Sequence, residues 1–456
     1  MEKKFYAKGS ENEGYIKNME ILAVCDLKED NSGGQQQLYR TVDGTYLLYH
    51  LAAHGTKVVI IDVTDPANPK VLNSFHHVDV KEYPTTDSPK IQIADGLLII
   101  AMTSGSGPNF LHRPQIDKKT TKFMSGIQIF SLEDPVNPRF LSYWDCGVPF
   151  SMGVHRFMYD GGRYVHLSCE CAPFEGLIYR IVDINDPENP VEAGRWWLPE
   201  QYADGVPGRS VDHDALHVPD FMDKGWLHGP PFIVGDKAYL GYAGAGLIVL
   251  DVADVTRPKC LGHLPLCPPF GSHFAGARTH TALPLPGRDL VVVTNEGERY
   301  FWFTAEQIGN MAQAMNNLHM VDVRDPARPT LIAEFPYPEV PEGFPYKNFN
   351  EAWLGVAGPF GPHNVHEPMA GKPWLEQRGD RVYCSYFAAG FRAYDVSDPY
   401  YIKEIAYFIP PNPAVDPLFP GKGPIMAVTE DNLVDDRGNI YITTDNDGFY
   451  IARLTV

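Results

Sequence analysis

Four histidines stand at comparable distances ahead of four similar hairpins. His155 lies eight residues before Arg163, where a strand begins; His280 lies eight before Arg288 and His228 nine before Lys237. His366 lies fifteen before Arg381, across a longer turn. Imidazole is the commonest side-chain ligand for zinc, manganese, iron and related ions, and three or four neutral rings around an open position make a catalytic metal site. A lone histidine in a strand is more often a buried polar group satisfied locally. Four at matched positions, out of sixteen in the chain, favour the ligand reading.

Carboxylates fall near the same places. In the last hairpin the matched position holds Glu430 and Asp431, and Glu170 and Glu296 close the second strands of their hairpins. A carboxylate beside a metal serves as general base or orients a ligand. Taken singly, each of these acids is equally well a solvated charge. Arg278, two residues before His280, suits an anionic or enolate oxygen. Other histidines compete: "VDHDALHVPDF" holds Asp212, His213, Asp214 and His217, a second site or a replacement for His228, and His363 precedes His366 by three residues. The pairs His50/His54 and His76/His77 read as surface or turn residues.

The elements that would position these groups recur along the chain. Six segments share one pattern: "VVIIDVTDPANPKVL" (58–72), "IQIFSLEDPVNPRFL" (127–141), "YRIVDINDPENPVEA" (179–193), "LIVLDVADVTRPKCL" (247–261), "LHMVDVRDPARPTLI" (318–332) and "FRAYDVSDPYYIKEI" (391–405). Proline fixes φ, aspartate bonds its own backbone in an Asx-turn, and the β-branched flanks suit strands. Each is preceded by a hairpin such as "THTALPLPGRDLVVVTNE", giving four strands per unit, here A to D, the content of one propeller blade. A seventh unit, "EDNLVDDRGNIYITTDNDGFYIARL", stops before strand D, and "YIKNMEILAV" (15–24) resembles the sixth unit's D strand, "YIKEIAYFIP". The expectation is an all-β, single seven-bladed propeller over 1–456 whose last blade is closed by the N-terminal strand, leaving no open edge at the ring joint. First strands of a propeller converge on its axis, so the four histidines are expected to meet there.

This pattern of apolar run, aspartate, D-P-x-x-P-type turn and second run resembles the LVIVD-repeat family, whose members are β-propellers, over nearly the whole chain. That likeness implies the fold; members of this type are also similar to the ring-opening cyclohydrolases of anaerobic phloroglucinol breakdown. Hydrolytic C–C cleavage of a cyclic 1,3-diketone is what this similarity implies.

Insertions are lopsided. The A–B turns are short, apart from 369–380, whereas 103–125, 196–227, 265–277, 299–317, 336–362 and 408–425 are long and fall on one face. Long loops gathered on one side of a rigid scaffold commonly build a binding site.

A net charge of −19, spread along the chain, disfavours nucleic acid and anionic membrane as partners. No stretch has the apolar length of a membrane span, and the basic start "MEKKFYAKGSENEGYIK" has no apolar run behind it, so no signal peptide is expected. Seven scattered cysteines suit a reduced, cytoplasmic setting. P-loop, G-x-G-x-x-G, G-x-S-x-G and HExxH motifs are absent. Three functions remain open: a divalent-metal-dependent hydrolase (Mn, Zn or Fe) for a small cyclic oxygenated substrate, a four-histidine Fe(II) dioxygenase, and a non-enzymatic interaction scaffold. Bound metal separates the first two from the third.

Overall fold

The computed structural model describes residues 14–27, 34–53, 55–84, 86–88, 90–104, 122–148, 152–202, 226–266, 277–297, 316–344, 347–349, 360–412, 427–444 and 448–456. Over these the chain forms a seven-bladed β-propeller of four-stranded antiparallel blades with little helix. Strands follow one another outward in each blade, as in the third: Val154–Met158, Tyr164–Glu170, Leu177–Asp183 and Val191–Trp196. The middle strands are buried on both faces, which is why their sequences are unbroken apolar runs; Ile99, Ile100 and Ala101 are all fully buried. Each fully buried isoleucine among them contributes roughly 1.5–3 kcal/mol. The outer strand Lys70–His76 is largely exposed and correspondingly mixed in composition.

The D-P turns form as their chemistry requires. In these five and in the matching Asp254–Val255 turn, the aspartate Oδ1 accepts from the backbone N–H two residues on: Asp65 from Ala67, Asp134 from Val136, Asp186 from Glu188, Asp254 from Thr256, Asp325 from Ala327 and Asp398 from Tyr400, at 3.0–3.1 Å.

The N-terminal segment joins two blades. Met19–Cys25 pairs with Phe449–Leu454 as the fourth strand of blade seven. Tyr15–Lys17, part of the same predicted strand, instead adds to the outer edge of blade six against Lys403–Ile409. Asn18, at φ 54°, makes the step between them, and its Nδ2 donates to Ile405 O at 2.7 Å.

First strands line the axial channel and touch one another. Gln36 N, in blade one, donates to Asp431 Oδ2 of blade seven at 3.1 Å, and Asn432 Nδ2 donates to Asn364 O of blade six at 3.0 Å. Blade six departs from regularity: its first strand is reduced to isolated bridges, Val365 to Cys384 and Phe360 to Phe387. The following turn, 369–380, lies across the A–B end of the channel. Gly371 N donates to Asp160 of blade three at 2.8 Å, Trp374 Nε1 to Leu38 O of blade one at 2.6 Å, and Glu376 N to Val434 O of blade seven at 2.9 Å. A side chain at 371 would bring Cβ within 1.8 Å of Asp160 O, so only glycine lets this crossing occur.

Candidate metal centre

Three of the four matched histidines meet at the channel. The His155 and His228 ring centroids are 5.2 Å apart, and those of His228 and His280 4.4 Å. The fourth ring is His363, not His366: its centroid lies 4.9 Å from His280. His366 is a correction to the sequence reading. Its Nδ1 accepts from Val434 N at 3.1 Å and its Nε2 donates to Glu376 O at 2.9 Å, so both nitrogens hold backbone and no lone pair is left for a metal. With the first strand of blade six irregular, counting back from Arg381 lost the register.

His228 and His280 are brought together by glycine. Cβ atoms at Gly229 and Gly241 would lie 1.9 and 2.5 Å from His280 O, so blade four can approach blade five this closely only with hydrogen at both positions. Trp226 stacks on the His228 ring at 4.8 Å, and Phe387 on the His363 ring at 4.5 Å.

Glu296, closing the second strand of blade five, is the carboxylate that joins the rings. Its Oε2 lies 3.2 Å from His228 Nε2 and its Oε1 3.2 Å from His363 Nε2. One ligand atom each from His228, His280 and Glu296 falls within 4.8 Å of the others, and all three residues are buried. Bonds of about 2.1 Å to a tetrahedral ion separate ligand atoms by about 3.4 Å, so a small contraction suffices. His280 carries the clearest sign of a fit. Its Nδ1 is bonded to Thr281 Oγ1 at 2.6 Å, while Nε2 is buried with no hydrogen-bond partner. Burial, with Arg156 and the neighbouring rings, holds its pKa well below the usual histidine range, so the ring is neutral, the form that ligates. His363 is likewise held neutral by burial and Arg156, and its Nδ1 donates to Glu430 O at 3.0 Å, which turns Nε2 toward Glu296.

The remaining predicted residues divide. Glu430 reaches the site: its Oε2 lies 3.4 Å from His363 Nδ1 and its Oε1 3.9 Å from Lys90 Nζ. Asp431 lines the channel beside it, and burial pushes its pKa up to about 7. Glu170 is buried at the end of its strand, where its carboxylate accepts from Met152 N at 3.0 Å and fastens the chain entering blade three. Arg278 is paired opposite Glu296 in the ladder, but its side chain lies outside the described residues, as do Asp212, His213, Asp214, His217 and His54. Most of the long one-sided loops lie outside them too. His50, expected at the surface, is fully buried, its ring 5.6 Å from Phe449.

Sequence reasoning missed the basic side of the channel. Lys90, just ahead of the first strand of blade two (Ile91–Ala94), and Arg156, within that of blade three, are 4% and 2% exposed. Arg156 crosses the axis to blade six, where Nη2 donates to His363 Nε2 at 2.9 Å and Nη1 to Asn364 Oδ1. Deeper in, toward the crossing turn, Lys372 Nζ donates to Gln37 Oε1 at 3.1 Å and to Gln92 Oε1, and Gln92 Nε2 donates to Glu367 at 3.1 Å. Burial lowers both lysines to about 8 and raises Glu367. The available signal was a charged residue just ahead of or inside an apolar first strand, as in "SPKIQIADG" and "VHRFM".

No protein-family model matches this sequence, and no curated protein does. Among solved structures, the chain is similar to the Cps50 (Swd1) β-propeller domain of Myceliophteria thermophila, at 12% identity and TM-score 0.51 over 95% of this chain and 98% of that one. It is also similar to a streptogramin B lyase (9% identity, TM-score 0.49, 96% and 97% covered) and to the periplasmic gluconolactonase of Pseudomonas aeruginosa (12%, 0.47, 92% and 90%). The first likeness shows the propeller fold.

Proposed function

We propose that this propeller is a divalent-metal-dependent hydrolase, with His228, His280 and Glu296 holding the ion and His155 and His363 completing its surroundings. The observation that carries the reading is the buried, neutral His280 ring, whose Nε2 has no hydrogen-bond partner beside a carboxylate already 3.2 Å from His228. An ion held there supplies a Lewis acid for a carbonyl oxygen and lowers the pKa of water. A histidine–carboxylate set suits hydrolysis better than a purely four-histidine iron centre.

The chain's own groups supply the rest. The crossing turn covers the A–B end of the channel, so substrate is taken to enter from the face bearing the long loops. Glu430 and Asp431 are the carboxylates available to take a proton from water, and burial raises both toward the range useful for a general base. As the finer reading, the substrate is a small cyclic 1,3-diketone and the chain an LVIVD-repeat propeller. The hydroxyl of water would add to one carbonyl carbon, the adjoining C–C bond would break, and the proton held by the carboxylate would pass to the departing carbon. The six described cysteines are free, which supports a reducing, cytoplasmic setting.

Activity of the metal-reconstituted protein on cyclic 1,3-diketones, followed as loss of the enolate absorbance, tests the reading. Turnover that requires added metal and disappears in Glu296→Ala is expected. Metal-loaded protein that turns over none of them removes the substrate class.

A further inference from the structure

Three arginines are buried among the described residues: Arg156, Arg180 and Arg392. Arg180 is paired with Glu192 at 2.5 Å, and Arg392 with Glu404 at 2.9 Å. Arg156 differs. No described carboxylate stands within the 4.0 Å of an ion pair, its two bonded nitrogens donate to the neutral acceptors His363 and Asn364, and its Nε is buried with no hydrogen bond. The Lys90 ammonium beside it approaches Glu430 only to 3.9 Å, too long for a hydrogen bond. Removing two cations from water is costly unless an anion neutralises them at close range, and an anionic ligand bonded to both would supply that charge.

The formal charges agree. Among the described residues, four carboxylates act electrostatically on Arg156: Glu296, Glu367, Glu430 and Asp431. Against them stand Arg156, Lys90 and Lys372, leaving one formal negative charge in excess among these described groups. A divalent ion on His228, His280 and Glu296 would reverse this to one positive charge. A mono-anionic ligand restores neutrality, the favoured state of a site shut away from water.

Resting on the metal reading above, we infer that Arg156 and Lys90 bind the anionic group of the substrate, a small molecule bearing one carboxylate or enolate. That group lies against the Arg156 guanidinium and the Lys90 ammonium, beside His363 and Glu430, and the reacting carbonyl on the His228–His280–Glu296 side. Arg156 lies 2.9 Å from His363, which lies 3.2 Å from Glu296, so one small molecule spans both. Arg156 and Lys90 are therefore the residues that select charge.

The test uses propionate and its neutral isostere propionamide as probes, titrated calorimetrically into metal-loaded and metal-stripped protein, with metal content read by elemental analysis. Wild type is expected to bind propionate at least tenfold more tightly than propionamide. Arg156→Gln and Lys90→Gln are each expected to weaken propionate at least tenfold while metal stoichiometry stays at the wild-type level. Should Arg156→Gln fail to fold, Lys90→Gln carries the test. Equal affinity for the two probes, no propionate binding, or affinity within twofold of wild type in the folded variants overturns the inference. If wild type holds no metal yet discriminates the probes through Arg156 and Lys90, the anion site stands and the metal reading falls. If metal binds but the variants leave propionate unchanged, the reverse holds.

Discussion

Replacing His366 with alanine is expected to weaken the fold and leave the metal centre intact. The ring bonds two backbone groups, accepting from Val434 N at 3.1 Å and donating to Glu376 O at 2.9 Å. Truncation strands both groups in a buried site, at about 1–3 kcal/mol each, so a loss of about 3 kcal/mol is expected. At roughly 2 cal/mol/K per residue, unfolding 456 residues converts this into a fall in Tm of about 3 °C. The pH dependence gives an independent reading. Burial holds His366 at about 4, below the ordinary 6.5, so the unfolded chain takes up the proton first. Its stabilising contribution is therefore complete above pH 6.5 and is lost as pH falls from 6.5 to 4, about 3 kcal/mol in all. The variant should lose that part of the acid slope. Scanning calorimetry from pH 4 to 8, with elemental analysis of the same samples, measures both. A variant that has lost its metal with Tm and acid slope unchanged would refute the assignment.

Other substitutions separate the site from its scaffold. His280→Ala is expected to lose bound metal while circular dichroism still reports the propeller; unfolding would make the ring structural. Gly229→Ala, whose Cβ would fall 1.9 Å from His280 O, should displace blade four from blade five and lower metal affinity at least tenfold along with Tm, read by titration and calorimetry. In metal-stripped protein Asp431→Asn should raise stability between pH 4 and 7 and above, because burial raises the carboxyl from 3.8 to about 7, the folded state binds the extra proton, and stability falls as pH rises through that window. A flat comparison with wild type would show Asp431 to be solvated.

The architecture was legible because its signals are local and repeated. The Asx-closed D-P turns, the apolar middle strands and the histidines preceding the hairpins of blades three to five need only nearest-neighbour chemistry. Blade six was not legible in the same way. Its first strand is held by isolated bridges, so His363 and His366 could not be told apart by counting, and the three-residue offset sends them to opposite sides of an extended chain. Lys90 and Arg156 were missed because their partners come from blades six and seven, far along the chain. His50 was misread since nothing near it in sequence announces the Phe449 ring that covers it.

Elemental analysis of protein purified without an affinity tag, repeated after equilibration with Mn, Zn and Fe(II), tests the central claim most directly. The account predicts one tightly held divalent ion per chain, absent from His280→Ala and Glu296→Ala and retained in His366→Ala. Folded wild-type protein that takes up none of the three ions would contradict it.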